Sequence, residues 1–366
     1  MSFTAADHQF MARAIQLAAH GLYTTDPNPR VGCVIVRDNQ IIGEGWHVRA
    51  GEAHAEIHAL QQAGERAKGA TVYVSLEPCC HHGRTPPCSD ALIAAQVARV
   101  VVAMQDPNPH VAGNGMQQLR EAGIQVELGL LEPQAKALNP GFIRRMHLRR
   151  PFVRNKLAMS LDGRTAMADG ESKWITSDAA RQDVQRLRAR SSAIMTGVGT
   201  VLADDPAMTV RIPGVERQPL RVIIDTHLST PPSAKLLKEP GQTVIMTANS
   251  DEDVYAALRA AGAEIVQIGN DDHGIDLHEV LEKLAELNVN EVLLETGATL
   301  SGAMLEAKLI DELVIYMAPL LMGNDARGLY RLPHLQHMAD RIELDIQDVR
   351  AVGKDLRITA TPIYKV

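Results

Sequence analysis

Metal ligands that lie far apart in a chain constrain its fold, because the elements carrying them must meet at one point. Such a set is visible here. The run HAEIH sets His54 and His58 on a predicted helix, Cys79 follows Pro78 at the end of a predicted strand, and Cys88 opens the next predicted helix. Around the thiols, the stretch LEPCCHHGRTPPCSD holds Cys79, Cys80, His81, His82 and Cys88. Soft thiolates and an imidazole suit zinc, and three such ligands leave a fourth position for water. A thiolate at a helix start is stabilised by free N–H groups and the helix dipole, and zinc lowers the pKa of its water towards about 7. Glu56, two residues from His54, need not touch the metal. It can take a proton from the water and deliver it to a leaving amine. A His-x-Glu followed downstream by Pro-Cys and a second Cys is the signature of hydrolytic attack on an amino-substituted ring carbon.

Other assignments of these residues stay open at this level. Eight residues separate Cys79 from Cys88, where two are usual. Cys80 could close a site of three thiolates and one imidazole, although Glu56 would then have no role. His58, one helical turn from His54, could be a further ligand, as could His81 or His82. Arg84 and Thr85 offer anion or ring contacts instead.

At 366 residues the chain exceeds the usual size of one hydrophobic core, so two domains are expected. In the first half, helix and strand alternate. DHQFMARAIQLAAHG sets Phe10, Met11, Ala14, Leu17 and Ala18 on one helical face, with Gly21 past the end, and VGCVIV turns at RDNQ into IIGEGWH. A helix over about residues 52–66 follows, then strand TVYVS, the Cys/His loop, helix DALIAAQ, strand RVVVAM and helix GMQQLREAG. That order implies an α/β sheet covered by helices. LNPGFIRRMHLRRP, with its turn residues and charge run, reads as a break near residue 148, giving domains 1–147 and 148–366. The pattern then restarts. Strands are expected at FVRNKLAMS, AIMTG, LRVIID, TVIMT, EIVQI, EVLLE and ELVIYMAP, and helices over about 177–190, 251–261, 277–287 and 300–309. The C-terminal RIELDIQDVRAVGKDLRITATPIY reads as two antiparallel strands around a GKD turn.

Charge narrows the functional classes. A net charge of −7 and only 3% aromatic residues disfavour nucleic-acid binding, which calls for a basic surface and stacking platforms. The basic run RRMHLRR reads as a solvated linker or helix end. No apolar run approaches the ~18 residues of a membrane span, and MSFTAADHQF lacks the pattern of a secretory signal. Four Cys, three of them clustered beside His, favour a metal in a reducing cytoplasm over a disulfide framework.

The second half is less explicit. GVGTVL has Leu202 where a dinucleotide fingerprint places its third glycine, so ordinary turn glycines account for it equally well. ETGATLSGAML is stronger, because Gly297 and Gly302 lie between a strand and a helix, where free N–H groups could hold a phosphate. Asp204-Asp205-Pro206 reads equally as a helix-breaking turn.

TDPNPRVGCVIV, GWH…AGEAHAEIHAL, SLEPCCHHGRTPPC and QDPNPHVAGNG together resemble the bifunctional riboflavin-biosynthesis family. In that family a diaminohydroxyphosphoribosylaminopyrimidine deaminase is joined to a 5-amino-6-(5-phosphoribosylamino)uracil reductase. KLAMSLDGRTA, GESKWIT, RLRARS, TGVGTVLADDPAMTVR and LETGATLSGAML match the reductase half in order and spacing, so the resemblance spans essentially the whole chain. The long insertion between the thiols marks that branch of the cytidine-deaminase-like superfamily. Position 80 commonly holds Ser there, so Cys80 is a departure.

The resemblance implies a cytidine-deaminase-like three-layer domain followed by a dihydrofolate-reductase-like α/β domain. It implies His54, Cys79 and Cys88 as Zn2+ ligands, Glu56 as proton shuttle and Asn28 at the substrate's sugar. It implies NADPH, with cofactor contacts at Ala158, Trp174, Thr200, Asp204, Thr226 and the loop Gly297, Ala298, Thr299, Leu300, Ser301, Gly302 and Ala303. Ser172, Arg188, Met208, Arg211 and Glu295 then contact substrate. Arg188 and Arg211 can clamp its phosphate by paired hydrogen bonds. Lys156, Asp204 or Glu295 could hold ribose hydroxyls or pass a proton. The implied chemistry is deamination of a phosphoribosyl-pyrimidine and then reduction of its ribosyl chain, by a cytoplasmic homo-oligomer with no nucleic-acid or membrane partner. Two other readings are a nucleic-acid-editing deaminase and a zinc-stabilised binding module. The acidic charge and the insertion argue against the first, and the second leaves Glu56 without work.

Overall fold

The computed structural model describes residues 3–80, 87–109, 111–271 and 274–365. The chain divides into two compact units, Met1–Arg150 and Pro151–Val366. The first runs α1 (Ala5–Ala18), β1 (Gly32–Arg37), β2 (Gln40–Trp46), α2 (Ala55–Ala63), β3 (Thr71–Val74), α3 (Cys88–Ala94), β4 (Arg99–Val102), α4 (Asn114–Glu121), β5 (Gln125–Leu128), α5 (Glu132–Leu138) and α6 (Pro140–Leu148). Its sheet has the order β2-β1-β3-β4-β5, antiparallel across the first two pairs and parallel across the last two.

Side chains alternate faces along a strand, and here both faces are apolar. Cys33, Ile35, Val72, Val74, Val100 and Val102 pack with residues of α2, α3 and α4. Val34, Val36, Tyr73 and Val101 pack with residues of α1 and α5. The result is three layers. Helix α2 lies directly on β2: a Cβ at Gly43 would meet the Ala59 carbonyl oxygen at 2.2 Å, and one at Gly45 would meet that of Ala55 at 2.3 Å. Only glycine permits this approach.

The second unit holds β6 (Phe152–Ser160), β7 (Arg164–Ala166), α7 (Asp178–Arg190), β8 (Ala193–Gly197), α8 (Val198–Asp204), β9 (Leu220–Ile224), α9 (Lys235–Lys238), β10 (Thr243–Thr247), α10 (Glu252–Ala260) and β11 (Ala263–Gln267). There follow β12 (Asn270–Asp271), β13 (Gly274–Ile275), α11 (Leu277–Glu286), β14 (Glu291–Leu294), α12 (Ala298–Glu306), β15 (Glu312–Ala318), β16 (Arg327–Gly328), β17 (Glu343–Val352) and β18 (Asp355–Ile363). Nine strands form one sheet in the order β11-β10-β9-β8-β14-β6-β15-β18-β17. It is parallel from β11 to β15, and the terminal hairpin adds the antiparallel edge expected from the GKD turn. Side chains of Ser177, Asp251 and Asp276 cap α7, α10 and α11.

Several expectations shift. Of the two readings of RRMHLRR the helix end holds: Pro140 occupies the first turn of α6, where its missing N–H costs nothing, and Arg149 ends the helix in a left-handed conformation. The units therefore part between Arg150 and Pro151. Strand β5 and helix α8 were not anticipated, the first because QVEL is too short to show a period, the second because its glycines mask it. Helix α12 begins two residues earlier than the sequence suggests, at Ala298, with Gly297 as its cap.

Candidate metal centre and cofactor cavity

His54 is not within α2 but caps it, with extended backbone angles, so its ring projects from the helix start. Its Nδ1 lies 3.3 Å from Cys88 Sγ and 3.5 Å from Cys79 Sγ. All three ligand atoms fall within 4.8 Å of one another. Tetrahedral zinc, with bonds of about 2.0–2.3 Å, spaces nitrogen and sulfur ligands roughly 3.5–3.8 Å apart, so this donor set fits it. Cys79 comes from the segment after β3, and Cys88 is the first residue of α3. The helix-start N–H expected to serve Cys88 instead donates from Cys88 to the Cys79 sulfur at 3.3 Å. Cys79 is accordingly lowered to about 4, by its hydrogen bond with Cys88 and, against burial, by His54. The Cys88 thiol is pushed up by the same bond and by burial. His54 is raised by its bond to Cys79.

Among the described residues no fourth protein ligand joins. Cys80 and His58 lie outside the cluster, and His81, His82, Arg84 and Thr85 lie outside the described residues. Glu56, in the first turn of α2, is 3% exposed, and its Oε2 has no hydrogen-bond partner. Burial, and next the negative Cys79, push it up to about 7. A buried carboxyl oxygen without a partner, beside three ligand atoms, suits contact with a further polar group.

Two residues that the sequence reading passed over support this centre. His47, at 2% exposure, offers Nε2 to the Asn28 side-chain amide at 3.0 Å, while its Nδ1–H donates to the Ala53 carbonyl at 3.1 Å. Its ring meets that of His54 edge-on, with centroids 5.2 Å apart. Asn28 is thus fixed one imidazole away from the ligand cluster. Glu77 is buried and accepts four backbone N–H groups, from Asp106 and Gly113 on Oε2 and from Gly115 and Met116 on Oε1. It ties the start of α4 to the segment carrying Cys79. The signal in sequence was an acid inside SLEPC, which can be buried only where donors converge.

The second unit contains a cavity of about 2460 Å³. That is more than twice the ~1,000 Å³ upper size of a single small-molecule site, so a dinucleotide and a second molecule both find room. Of the expected cofactor contacts, Ala158, Trp174, Thr200, Asp204, Thr226, Gly297, Ala298, Thr299, Leu300 and Ala303 line it. Lys156, Ser172, Arg188, Met208, Arg211 and Glu295 line it too. Ser301 and Gly302 do not: both are buried inside α12, and a Cβ at Gly302 would meet the Arg331 carbonyl oxygen at 2.1 Å. Gly302 therefore serves packing and not phosphate binding.

Helices α8 and α12 start side by side on the cavity wall. The Gly197 N–H donates to Thr296 Oγ1 at 3.2 Å, and neither helix start has a side-chain cap. A Cβ at Gly297 would meet nothing within 4 Å, so the approach to these N–H groups is open. Uncapped helix starts of this kind attract anionic groups.

Arg188, in the last turn of α7, forms paired bonds to Glu295 of 2.6 and 3.0 Å and donates to the Thr209 carbonyl at 3.0 Å. Lys156 Nζ is 3.3 Å from Glu295 Oε2. Burial works to raise the Glu295 pKa, but Arg188 and Lys156 outweigh it and hold the group at about 2. The expectation of a two-arginine phosphate clamp is thus corrected: the planar fork of Arg188 is taken by Glu295. Arg211 is exposed, anchored only by its backbone N–H to Gln185 Oε1 at 2.9 Å. Asp204 pairs with Lys173 at 3.4 Å. Trp174 is 70% exposed, with the Arg181 guanidinium 4.5 Å from its ring centre.

Residues 4–104 match the cytidine and deoxycytidylate deaminase zinc-binding region, and residues 151–358 match the RibD C-terminal domain. The riboflavin biosynthesis protein RibD of Escherichia coli (strain K12) is 50% identical over 362 residues, spanning 96% of this chain and 98% of that protein. A structure of Acinetobacter baumannii RibD matches with a TM-score of 0.91 at 46% identity, covering 98% of this chain and 99% of that one. A Thermotoga maritima diaminohydroxyphosphoribosylaminopyrimidine deaminase/5-amino-6-(5-phosphoribosylamino)uracil reductase matches at 0.86 with 33% identity, over the same shares. With the ligand cluster in the first unit and the cavity in the second, the chain belongs to the RibD family, the bifunctional proteins of riboflavin biosynthesis that join a zinc-binding deaminase domain to a reductase domain.

Proposed function

We propose that the chain catalyses two consecutive steps. The first is hydrolytic deamination of 2,5-diamino-6-(5-phosphoribosylamino)pyrimidin-4(3H)-one. The second is NADPH-dependent reduction of the ribosyl side chain to 5-amino-6-(5-phosphoribitylamino)uracil. The observation that supports this most directly is the convergence of His54, Cys79 and Cys88 beside Glu56, whose buried Oε2 has no partner, in one chain with the large cavity.

His54, Cys79 and Cys88 hold the metal, which supplies Lewis acidity and an acidified water. Glu56 moves the proton. Poised near 7, it can accept one at Oε2 and return it to the leaving amine. Asn28, oriented by His47, holds the sugar. Hydrogen bonds through Glu77 keep the neighbouring loop in place.

In the second unit the starts of α8 and α12 would hold NADPH, which would supply the hydride. Glu295, ionised at neutral pH, can accept from a sugar hydroxyl but has no proton to give. Lys156, 3.3 Å from Glu295 Oε2, is placed to contact the same sugar hydroxyl. Arg211, exposed on the cavity wall, meets the substrate phosphate. The deciding assay is on one purified chain: zinc content, ammonia release, then NADPH oxidation on the same substrate. Arg211→Ala is expected to raise the reductase KM at least tenfold, the effect of losing a charge-assisted contact, and to leave ammonia release unchanged. A chain that releases ammonia but never oxidises NADPH refutes the second step.

The reading extends to a cytoplasmic homo-oligomer. In the reducing cytoplasm Cys79 and Cys88 stay reduced and free of disulfides. No described helix is long and apolar enough to cross a membrane. β17 is an edge strand, and a bulge between Ile346 and Asp348 keeps its apolar residues on one face. Leu344, Ile346 and Val349 there, with Leu356 of β18, are 43%, 60%, 54% and 38% exposed, a strip suited to a second copy. Light scattering is expected to give a multiple of 39.8 kDa. Ile346→Glu should shift it towards the monomer, and a wild-type monomer at micromolar concentration would refute this.

A further inference from the structure

Helix α7 touches the reductase cavity through several bonds: Arg188 on Glu295 and on the Thr209 carbonyl, and Gln185 on the Arg211 backbone. A stiff helix passes any slide along its axis to all of them. At the same end Arg190 pairs with Glu291 at 3.3 Å and Arg217 donates to the Ala189 carbonyl at 2.8 Å; two further attachments lie towards the helix start. Ser177, the cap of α7, donates from its N–H and its hydroxyl to Asp355 Oδ2 at 2.8 and 2.6 Å. Asp183 accepts on Oδ2 from the Tyr316 hydroxyl at 2.6 Å and from Arg357 Nη1 at 2.9 Å. The two carboxylates thus come one from the terminal hairpin and one from the helix.

The Asp183 contact falls at a telling place in the sheet. Tyr316 on β15 lies in register with Ala158 on β6 on one side and with Arg357 on β18 on the other. Asp183 therefore bridges the helix to the strand beside Ala158 and to the strand beyond. It is 9% exposed and Tyr316 is 1% exposed, so neither bond is diluted by water. Asp183 is not on the cavity wall, whereas Gln182, Val184, Gln185 and Arg188 around it are. From Asp183 to Arg188 is about 7.5 Å along the axis. Apolar packing alone lets a helix settle in several axial positions; two directional bonds from fixed donors select one.

We infer that Asp183 is a positioning residue of the reductase site: by bonding to Tyr316 and Arg357 it fixes the axial register of α7, and through it Arg188 on Glu295 and Gln185 on the Arg211 backbone. It does not touch substrate or cofactor. The inference rests on the proposed reductase activity and goes beyond it.

The test is steady-state kinetics of the full, zinc-loaded chain with 5-amino-6-(5-phosphoribosylamino)uracil and NADPH. Asp183→Asn keeps the shape and one acceptor oxygen but loses the charge. The KM for the phosphorylated substrate is expected to rise roughly tenfold, since small displacements at a site have effects of this size, while the KM for NADPH and the rate of ammonia release stay as in the wild type. Arg357→Lys, which keeps a cationic donor, should recover much of that loss relative to Arg357→Met. An Asp183→Asn chain with unchanged kinetics, whatever its melting temperature, overturns the inference, because the carboxylate would then serve stability alone. Should that variant fail to fold, Arg357→Met, at a residue off the cavity wall, decides: a several-fold rise in the same KM supports the inference, and none overturns it. A wild-type chain that does not oxidise NADPH on this substrate sinks the reductase reading and this inference together; an active wild type beside an unchanged variant sinks the inference alone.

Discussion

Glu56→Gln is expected to give a folded chain that holds its zinc and releases ammonia about 10²–10⁴-fold more slowly, the usual share of a general acid–base group. Reduction of the deaminated substrate by NADPH should persist at the wild-type rate, because Glu56 lies in the other unit. The size of the loss follows from the geometry. Glu56 is 3% exposed, its Oε2 has no partner, and nothing else in the ligand cluster can accept a proton without leaving the metal. Glutamine fills the same space and offers no base. Metal analysis of the variant separates this outcome from a lost site. If ammonia release survives the change, the cluster is a structural zinc site and the deaminase mechanism is wrong.

Arg188→Met is expected to abolish reduction and to weaken the second unit by about 3 kcal/mol or more, since it strands a buried carboxylate that Lys156 alone must balance. Glu295 is 11% exposed, so solvent offers little relief. The pH dependence has a definite sign. In the wild type the folded-state pKa of Glu295 is depressed from 4.5 to about 2. Its stabilising contribution is therefore full above about pH 4.5 and fades as the pH falls towards 2. Without Arg188 the folded-state value rises, so the variant's deficit against the wild type should be largest at neutral pH and narrow as the pH falls through that window. Melting curves at pH 7 and near pH 3.5 check this, with ammonia release as the internal control. Wild-type melting at both pH values would mean that Arg188 does not hold Glu295 in solution.

The metal centre was legible because each of its ligands sits at an element boundary that the sequence announces: the start of α2, the segment after β3, the start of α3. What the sequence could not settle was which sulfur the helix start serves, and the structure gives that N–H to Cys79. Of the cavity, the residues themselves showed only the strand-to-helix turn at Gly297; the rest was legible through resemblance. Resemblance supplied its wall residues but not the phase of α12, so Ser301 and Gly302 were placed on the wall when helical rotation buries them. Arg188 was read as a phosphate ligand because a sequence does not show which acid a guanidinium will meet across the fold. His47 and Glu77 were missed for a related reason. Their work is to satisfy backbone and side-chain groups far away in the chain, and no periodicity records that. The charge run before Pro151 hid helix α6 for the opposite reason, because its polar face dominates the composition while only Gly141 and Phe142 of the helix are buried.

The bare contact between α2 and β2 limits how this enzyme can change. In most α/β layers a helix floats on side chains, and its height above the sheet can drift by one methylene at a time. Here the spacing is main chain against main chain at Gly43 and Gly45. No intermediate layer exists to be trimmed or thickened, so the depth at which His54 and Glu56 are presented has no gradual route to a new value. Variation in what the deaminase accepts must come from the loops around the metal and not from the helix that delivers it.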